Sequence, residues 1–272
     1  MLQRIIPSTN EPLPVIGIGT WQTFDLPTAS GGPLKEVLKA LQQAGGSLID
    51  SSPMYGKAES MVGALTAEKS FGDPFFYATK VWTEGREQGI SQMENSFTRM
   101  GRTTMDLMQI HNLVDWKTHM KTLRRWKEEG RIRYIGITHY TDSMHKELET
   151  VMRSEQPDFI QFNYSITGRH AEKRLLPAAM DLGVATLINR PFGEGKLFSL
   201  VKGKALPSWA GEHGLKTWGQ AFLKFIIANP AVTCVIPATG NPVHMRENLA
   251  AAEGNILSTE VCNRLAGLVK EW

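Results

Sequence analysis

Eight short and nearly continuous apolar runs recur along this chain, each ending in polar residues and followed by a segment of helical periodicity. They are VIGIGT, SLIDSS, FFYATKV, MDLMQIH, RYIGIT, FIQFNYS, VATLIN and TCVIPA. A strand that is apolar on both faces must be covered on both faces, the condition of a parallel sheet flanked by helices. The intervening segments supply the helices. Leu34, Val37, Leu38 and Leu41 form one stripe, stopped by Gly45. Trp116, Met120, Leu123 and Trp126 form a second, stopped by Gly130, and both tryptophans are expected in the core. Ala171, Leu175 and Ala179 form a third, stopped by Gly183. Glycine just past the last periodic residue suits a left-handed cap.

Eight strand–helix repeats predict a closed (β/α)8 TIM barrel, an α/β fold, as one domain over residues 1–272. The open doubly wound alternative lacks its fingerprint: VIGIGTW supplies G-x-G with no third glycine, and no helix opens directly after it. QRII and LPVIG, on either side of PSTNEP, predict an N-terminal β-hairpin that plugs the bottom of the barrel. Two additional C-terminal helices close the chain, the last with Ser258 as N-cap and Val261, Leu265 and Leu268 as its buried stripe. The stretch from Phe192 to Trp218, with Pro207 and five glycines, is too long for an ordinary connection and is expected to be a functional loop.

Several function classes are disfavoured. No run of about 18 apolar residues is present, so no membrane span is expected. The start MLQRIIPSTNEPLP lacks the apolar core of a secretory signal, which points to a cytoplasmic protein. Thirty Lys and Arg against 27 Asp and Glu leave a net charge of +3, too weak a bias to indicate a nucleic-acid surface. Cys234 and Cys262 form no C-x-x-C pair, and Cys234 is expected to be a buried small hydrophobe. With no H-x-x-x-H pair of the metalloprotease kind and no thiolate cluster, no metal is expected. His119, His145, His170 and His213 are expected to be solvated.

In such a barrel the chemistry sits where the strand C-termini converge. The polar residues there are Thr20 and Trp21, Asp50 with Ser51 and Ser52, Lys80, His111 and Asn112, Thr138 and His139, Gln161 and Asn163, Asn189 and Arg190, and Thr239. From Trp21 through Asp50, Lys80, His111, Thr138, Asn163 and Arg190 to Ala238, the steps are 29, 30, 31, 27, 25, 27 and 48 residues, consistent with one ring. Asp50, Lys80 and His111 place three different ionisable groups on successive strand ends, and Tyr55 follows closely. A carbonyl that accepts hydride needs a proton donor, and a Tyr can serve. A nearby Lys favours the phenolate, an Asp keeps that Lys charged, and a His can orient the carbonyl oxygen.

The segments GIGTW, IDSSPMYGKAE, ATKVW, DLMQIHN, YIGIT, IQFNYS, PFGEGKL and IPATGNPVHMREN, in this order, resemble the aldo–keto reductase family. The resemblance runs from about Leu13 to Asn248 and implies the barrel fold and the reduction of aldehydes and ketones with NADPH, with NADH a possible substitute. It matches Asp50, Tyr55, Lys80 and His111 to the family's catalytic tetrad: Tyr55 as proton donor, Lys80 and Asp50 lowering its pKa, and His111 positioning the substrate. It places Thr20, Trp21 and Asp50 by the nicotinamide ribose and Gln161 on the carboxamide. Thr138 and His139 stand where the family has Ser-Asn, and Asn189 where many members have a stacking aromatic. Pro191, Phe192, Gly193, Glu194, Gly195 and Lys196 match the loop that wraps the pyrophosphate, Arg190 is a further cofactor-binding candidate, and Phe198 and Trp209 are candidates to cover the cofactor or narrow the pocket. Pro237, Ala238, Thr239, Gly240, Asn241, His244, Glu247 and Asn248 fall at the adenosine end. Ala238 and His244 replace frequent cations there. Trp21, Tyr55, Trp82 and His111 are the expected substrate-contacting residues. The expected partner is a small-molecule carbonyl compound, and the expected state is a monomer. A cofactor-sensing protein that acts through a protein partner is the alternative, although no N-terminal segment for such regulation is expected. A Schiff-base lyase built on Lys80 would leave Tyr55 and Asp50 idle.

Overall fold

The computed structural model describes residues 1–271. It opens with an antiparallel hairpin, β1 (Gln3–Ile6) and β2 (Glu11–Pro14). The barrel strands follow as β3 (Ile18–Gly19), β4 (Leu48–Asp50), β5 (Phe76–Val81), β6 (Met105–Ile110), β7 (Ile132–Thr138), β8 (Phe159–Asn163), β9 (Ala185–Asn189) and β10 (Cys234–Val235). Each pairs in parallel with the next in sequence. Single parallel bridges, Ile16 to Val235 and Gly19 to Ala238, join the last strand to the first and close the cylinder. The sequence predicts a first strand over VIGIGT, yet β3 has two paired residues. Val15 and Gly17 instead exchange bonds with Val235 across the closure, and a Cβ on Gly17 would lie 2.8 Å from the Leu48 carbonyl oxygen.

Alternation along the strands fills the barrel. Phe76, Tyr134 and Phe159 meet inside with ring centroids 5.4–6.1 Å apart. Leu48, Ala78, Leu107, Ala185, Leu187, Cys234 and Ile236 complete this inner core, and Ile6 and Leu13 of the hairpin close it. The hairpin is therefore the expected plug. The Tyr134 hydroxyl donates to Glu11 Oε2 at 2.6 Å, and the Arg4 guanidinium donates to the carbonyls of Ile227 and Asn229 at 2.6 Å each. Cys234 is fully buried, as expected, and burial pushes its thiol pKa up.

The outer layer begins with α1 (Gly32–Gln43), α2 (Ala58–Leu65), α3 (Lys69–Gly72), α4 (Arg86–Met100), α5 (Trp116–Glu128) and α6 (His145–Glu155). It continues with α7 (Leu175–Leu182), α8 (Lys196–Leu200), α9 (Trp218–Ala228), α10 (Pro242–Ala250) and α11 (Thr259–Lys270). The first two stripes lie on α1 and α5, with Trp126 fully buried and Trp116 packed against the core. The third spans two elements. Ala171 belongs to a 3-10 turn, His170–Lys173, and Arg174 at φ −146° breaks the chain before α7. Gly183 caps α7 at φ +64°, the left-handed region where a side chain is strained. On α11, Ser258 accepts from Val261 N at 3.3 Å, but Val269 rather than Leu268 completes the buried stripe.

The stretch from Phe192 to Trp218 is not a bare loop. It folds into α8 and a 3-10 helix, Ser208–His213, anchored by buried Leu197, Ala210 and Leu215. Two of the histidines expected in solvent are buried. His119 bonds the Thr83 carbonyl at 2.7 Å, and His145 lies 3.0 Å from both His170 Nδ1 and Asn163 Oδ1. Among the described residues no helix is long and apolar enough to cross a membrane.

Candidate active site

The alternation that fills the core also builds the site. Inward positions run Leu48 to Asp50 on β4, Phe76 and Ala78 to Lys80 on β5, Leu107 to Gln109 on β6, and Phe159 to Gln161 on β8. At the C-terminal end this inward row turns polar. Lys80 Nζ donates to Asp50 Oδ2 at 2.6 Å and to the Ser51 carbonyl at 2.7 Å. Asp50 Oδ1 accepts the amides of Gln109 at 2.9 Å and Gln161 at 3.0 Å. Gln161 Nε2 also donates to Gln109 Oε1 at 3.1 Å. Lys80 is fully buried, and an unpaired ammonium there would be costly. Burial alone would lower its pKa, but Asp50 and Tyr55 more than offset that, so the net shift is upward and the ammonium stays charged.

Tyr55 is carried by the loop between β4 and α2 rather than by a strand. Its N–H donates to the Ser52 carbonyl at 3.0 Å. Gly56, at φ +59°, passes so close to Asp25 that a Cβ would lie 2.3 Å from the carboxylate. Asp25 Oδ1 in turn accepts Lys57 N at 2.9 Å and holds the loop. Lys80 Nζ is 5.0 Å from the centre of the Tyr55 ring. Of the expectation that Lys80 and Asp50 lower the phenol pKa, the Lys80 part holds and the Asp50 part is corrected. Burial raises it, Lys80 pulls it down by less, and the anionic Asp50 pushes it up rather than down, so the net direction is up. The phenol is thus held in its acid form.

His111 follows β6, edge-on to Tyr55 with ring centroids 5.8 Å apart. Burial, then the charge of Lys80, then His139, push its pKa down to about 2, so the ring is neutral. Its Nδ1 lies 3.1 Å from Ser52 Oγ. Trp82, at the end of β5, is exposed, 6.4 Å from His111 and just beyond the cleft wall.

Of these groups Asp50, Tyr55, His111 and Gln161 line a cleft of about 330 Å³. Its wall brings together Thr20, Trp21, Asp50, Tyr55, His111, Thr138, His139, Gln161, Asn189, Arg190, Pro191, Phe192, Gly195 and Ala238. Gly193, Lys196, Pro237, Thr239, Gly240, Asn241, His244, Glu247 and Asn248 are not part of that wall. Most of these continue past Ala238 onto α10, where Asn241 Oδ1 accepts Val243 N at 2.8 Å and Thr239 Oγ1 accepts Asn241 N at 3.1 Å. Phe198 and Trp209 do not line the cleft either. Phe198 packs on Phe192 at 4.8 Å, and Trp209 lies under Arg264 at 4.4 Å.

Two residues where the chain departs from the family pattern are accounted for. His139 Nδ1 accepts Tyr140 N at 2.9 Å, and its ring stacks on Tyr140 with centroids 5.2 Å apart. Asn189, on the neighbouring side, donates its amide to the His139 carbonyl at 3.3 Å, which leaves Asn189 Oδ1 buried without a partner. Asn112 Oδ1, also at the cleft, is buried and unpartnered as well. Buried acceptors without donors are uncommon. Here they suit a ligand that carries an amide NH2, so the residues present fit a nicotinamide. The sequence pattern assigns no role to Gln109, Asn112 or Tyr140. For Gln109 a signal was available: it is the one amide inside the apolar run MDLMQI, at the parity of Leu107.

The model of the Aldo/keto reductase family matches residues 15–270. An aldo-keto reductase of Mycobacterium sp. (strain KMS) is 28% identical over 242 residues, 87% of this chain and 82% of that protein. The NADH-specific methylglyoxal reductase of Escherichia coli (strain K12) is 24% identical over 249 residues, 78% of this chain and 73% of that protein. The fold is similar to that of an aldo-keto reductase from Klebsiella pneumoniae solved in complex with NADPH, with a TM-score of 0.83 and 24% identity over 99% of this chain and 96% of that one.

Proposed function

The chain belongs to the aldo/keto reductase family, and on that premise we propose that it reduces aldehydes or ketones to alcohols with NADPH or NADH, with Tyr55 as the proton donor. The observation that carries this reading is the buried Lys80–Asp50 pair, 2.6 Å apart, with Lys80 Nζ 5.0 Å from the centre of the Tyr55 ring and His111 edge-on to that ring. A reduced nicotinamide, when bound, supplies the hydride that the carbonyl carbon accepts. Tyr55 releases its phenolic proton to the carbonyl oxygen as charge develops there. Lys80 then faces the resulting phenolate, and its buried ammonium stabilises that anion. Asp50, held by Gln109 and Gln161, keeps Lys80 charged and in place. His111 orients the carbonyl oxygen.

The oxygens of Asn189 and Asn112 and the carbonyl of Gln161 are the groups we assign to the carboxamide. The loop from Arg190 to Lys196 is assigned to the pyrophosphate. Exposed Trp21, Met54 and Trp82 rim the mouth, which favours an apolar or aromatic carbonyl compound. The Klebsiella pneumoniae neighbour was solved with NADPH and the Escherichia coli relative is NADH-specific. NADPH is the favoured cofactor, and the replacement of cations by Ala238 and His244 weakens the hold on a 2′-phosphate and makes NADH a usable one.

The test is aldehyde-dependent loss of reduced-cofactor absorbance, with NADPH and NADH assayed side by side on a reactive aromatic aldehyde. Turnover with either supports the reading. Tight binding of both cofactors with no turnover on a broad carbonyl panel contradicts it and favours a cofactor-sensing protein.

A further inference from the structure

Ser52 lies two residues past the end of β4 at Asp50 and is fully buried. Its Oγ accepts the Met54 N–H at 3.2 Å and lies 3.1 Å from His111 Nδ1. A hydroxyl has one proton to give. Among the described residues, His111 Nδ1 is the acceptor within hydrogen-bond reach of Ser52 Oγ. If Nδ1 carried a proton, Oγ would accept twice and its own proton would be buried with nothing to bond. Proton on oxygen, lone pair on Nδ1, satisfies every group.

We infer that Ser52 donates its hydroxyl proton to His111 Nδ1, fixes the imidazole as the Nε2–H tautomer, and so makes His111 a hydrogen-bond donor toward the cleft. Because the ring is neutral, the tautomer alone decides whether Nε2 presents a proton or a lone pair. A carbonyl oxygen meets a donor in the first case and repulsion in the second. Ser52 is then a positioning residue that acts through His111. Its relevance to carbonyl reduction rests on the function proposed above, whereas the tautomer does not.

The experiment is long-range proton–nitrogen NMR on the full chain labelled with 15N-histidine, with and without NADPH. The His111 signals are identified by their loss in His111→Gln. The expected wild-type pattern is a protonated Nε2 and a hydrogen-bonded, unprotonated Nδ1. In Ser52→Ala the pattern should move toward a tautomer mixture, and kcat should fall about five- to ten-fold, the worth of one neutral hydrogen bond. The NADPH Kd should stay within about two-fold, and Ser52→Thr should restore both tautomer and kcat. A wild-type His111 protonated on Nδ1 overturns the inference, as does a Ser52→Ala variant with an unchanged tautomer. If Ser52→Ala does not fold, the wild-type spectrum still decides. An Nε2–H tautomer in a protein inert toward every carbonyl supports the Ser52 assignment and refutes the reductase reading instead.

Discussion

Lys80 is the residue on which the site turns, because a fully buried ammonium holds its place only while Asp50 answers its charge. Lys80→Met should abolish most turnover. It should also lower the stability of the fold by about 3–5 kcal/mol, the range for breaking one side of a buried pair. Urea unfolding of the variant checks this, and an unchanged midpoint would count against the pairing. His111 makes a second prediction of definite sign. Its folded pKa of about 2 lies below the 6.5 of a free ring. Between those values the unfolded chain takes up a proton that the folded chain refuses, so this contribution is complete above 6.5 and is lost as pH falls. Half-buried His139 and buried His145 add to it with the same sign. Unfolding free energy should drop between about pH 8 and pH 5, and His111→Gln should remove about 2 kcal/mol of that drop. An equally steep profile in the variant would contradict the neutral His111. Which residues meet was legible from strand ends and spacing. The sign of the Tyr55 shift was not, because residue order does not carry the degree of burial that outweighs Lys80.

Elements were legible where one period held without interruption. The apolar runs of β5 through β9 and the stripes of α1 and α5 fall where the pattern puts them. The third stripe failed because hydrophobic spacing does not register the break at Arg174 between a 3-10 turn and α7. The N-terminus of α10 is the element that bears on cofactor choice. Asn241 caps it, Pro242 opens it, and His244 is exposed in its first turn. Helix N-termini favour phosphate, and a guanidinium adds a bidentate fork of donors that an imidazole lacks. His244→Arg should therefore tighten NADPH relative to NADH by about ten-fold, the worth of a charge-assisted hydrogen bond. Fluorescence titration of both cofactors measures it, and an unchanged ratio of the two affinities would remove His244 from the phosphate site.

At the scale of the whole molecule the barrel separates stability from chemistry. Its hairpin end is apolar, closed by Ile6 and Leu13, and its other end carries the Lys80–Asp50 pair and the cleft. Ile6→Ala should cost about 2–5 kcal/mol through the cavity it leaves, with kcat/KM unchanged at a temperature where the variant is folded. A large loss of kcat/KM would show that the two ends are coupled. The barrel and its plug were readable from eight apolar runs and one turn-flanked pair. The unpartnered oxygens of Asn189 and Asn112 were not, because an orphaned oxygen is a property of the neighbours that fail to reach it.

The most direct single measurement is the turnover of Tyr55→Phe with NADPH and an aromatic aldehyde, beside wild type and with the NADPH Kd of each. The phenol is proposed to give up the proton, and the rest of the ring is preserved in Phe. The expected result is a fall in kcat of about 10²–10⁴, the span of general acid catalysis, with cofactor affinity within about two-fold. A Tyr55→Phe enzyme that turned over at the wild-type rate would contradict the assignment of the proton donor, and with it the role given to the Lys80–Asp50 pair beside it.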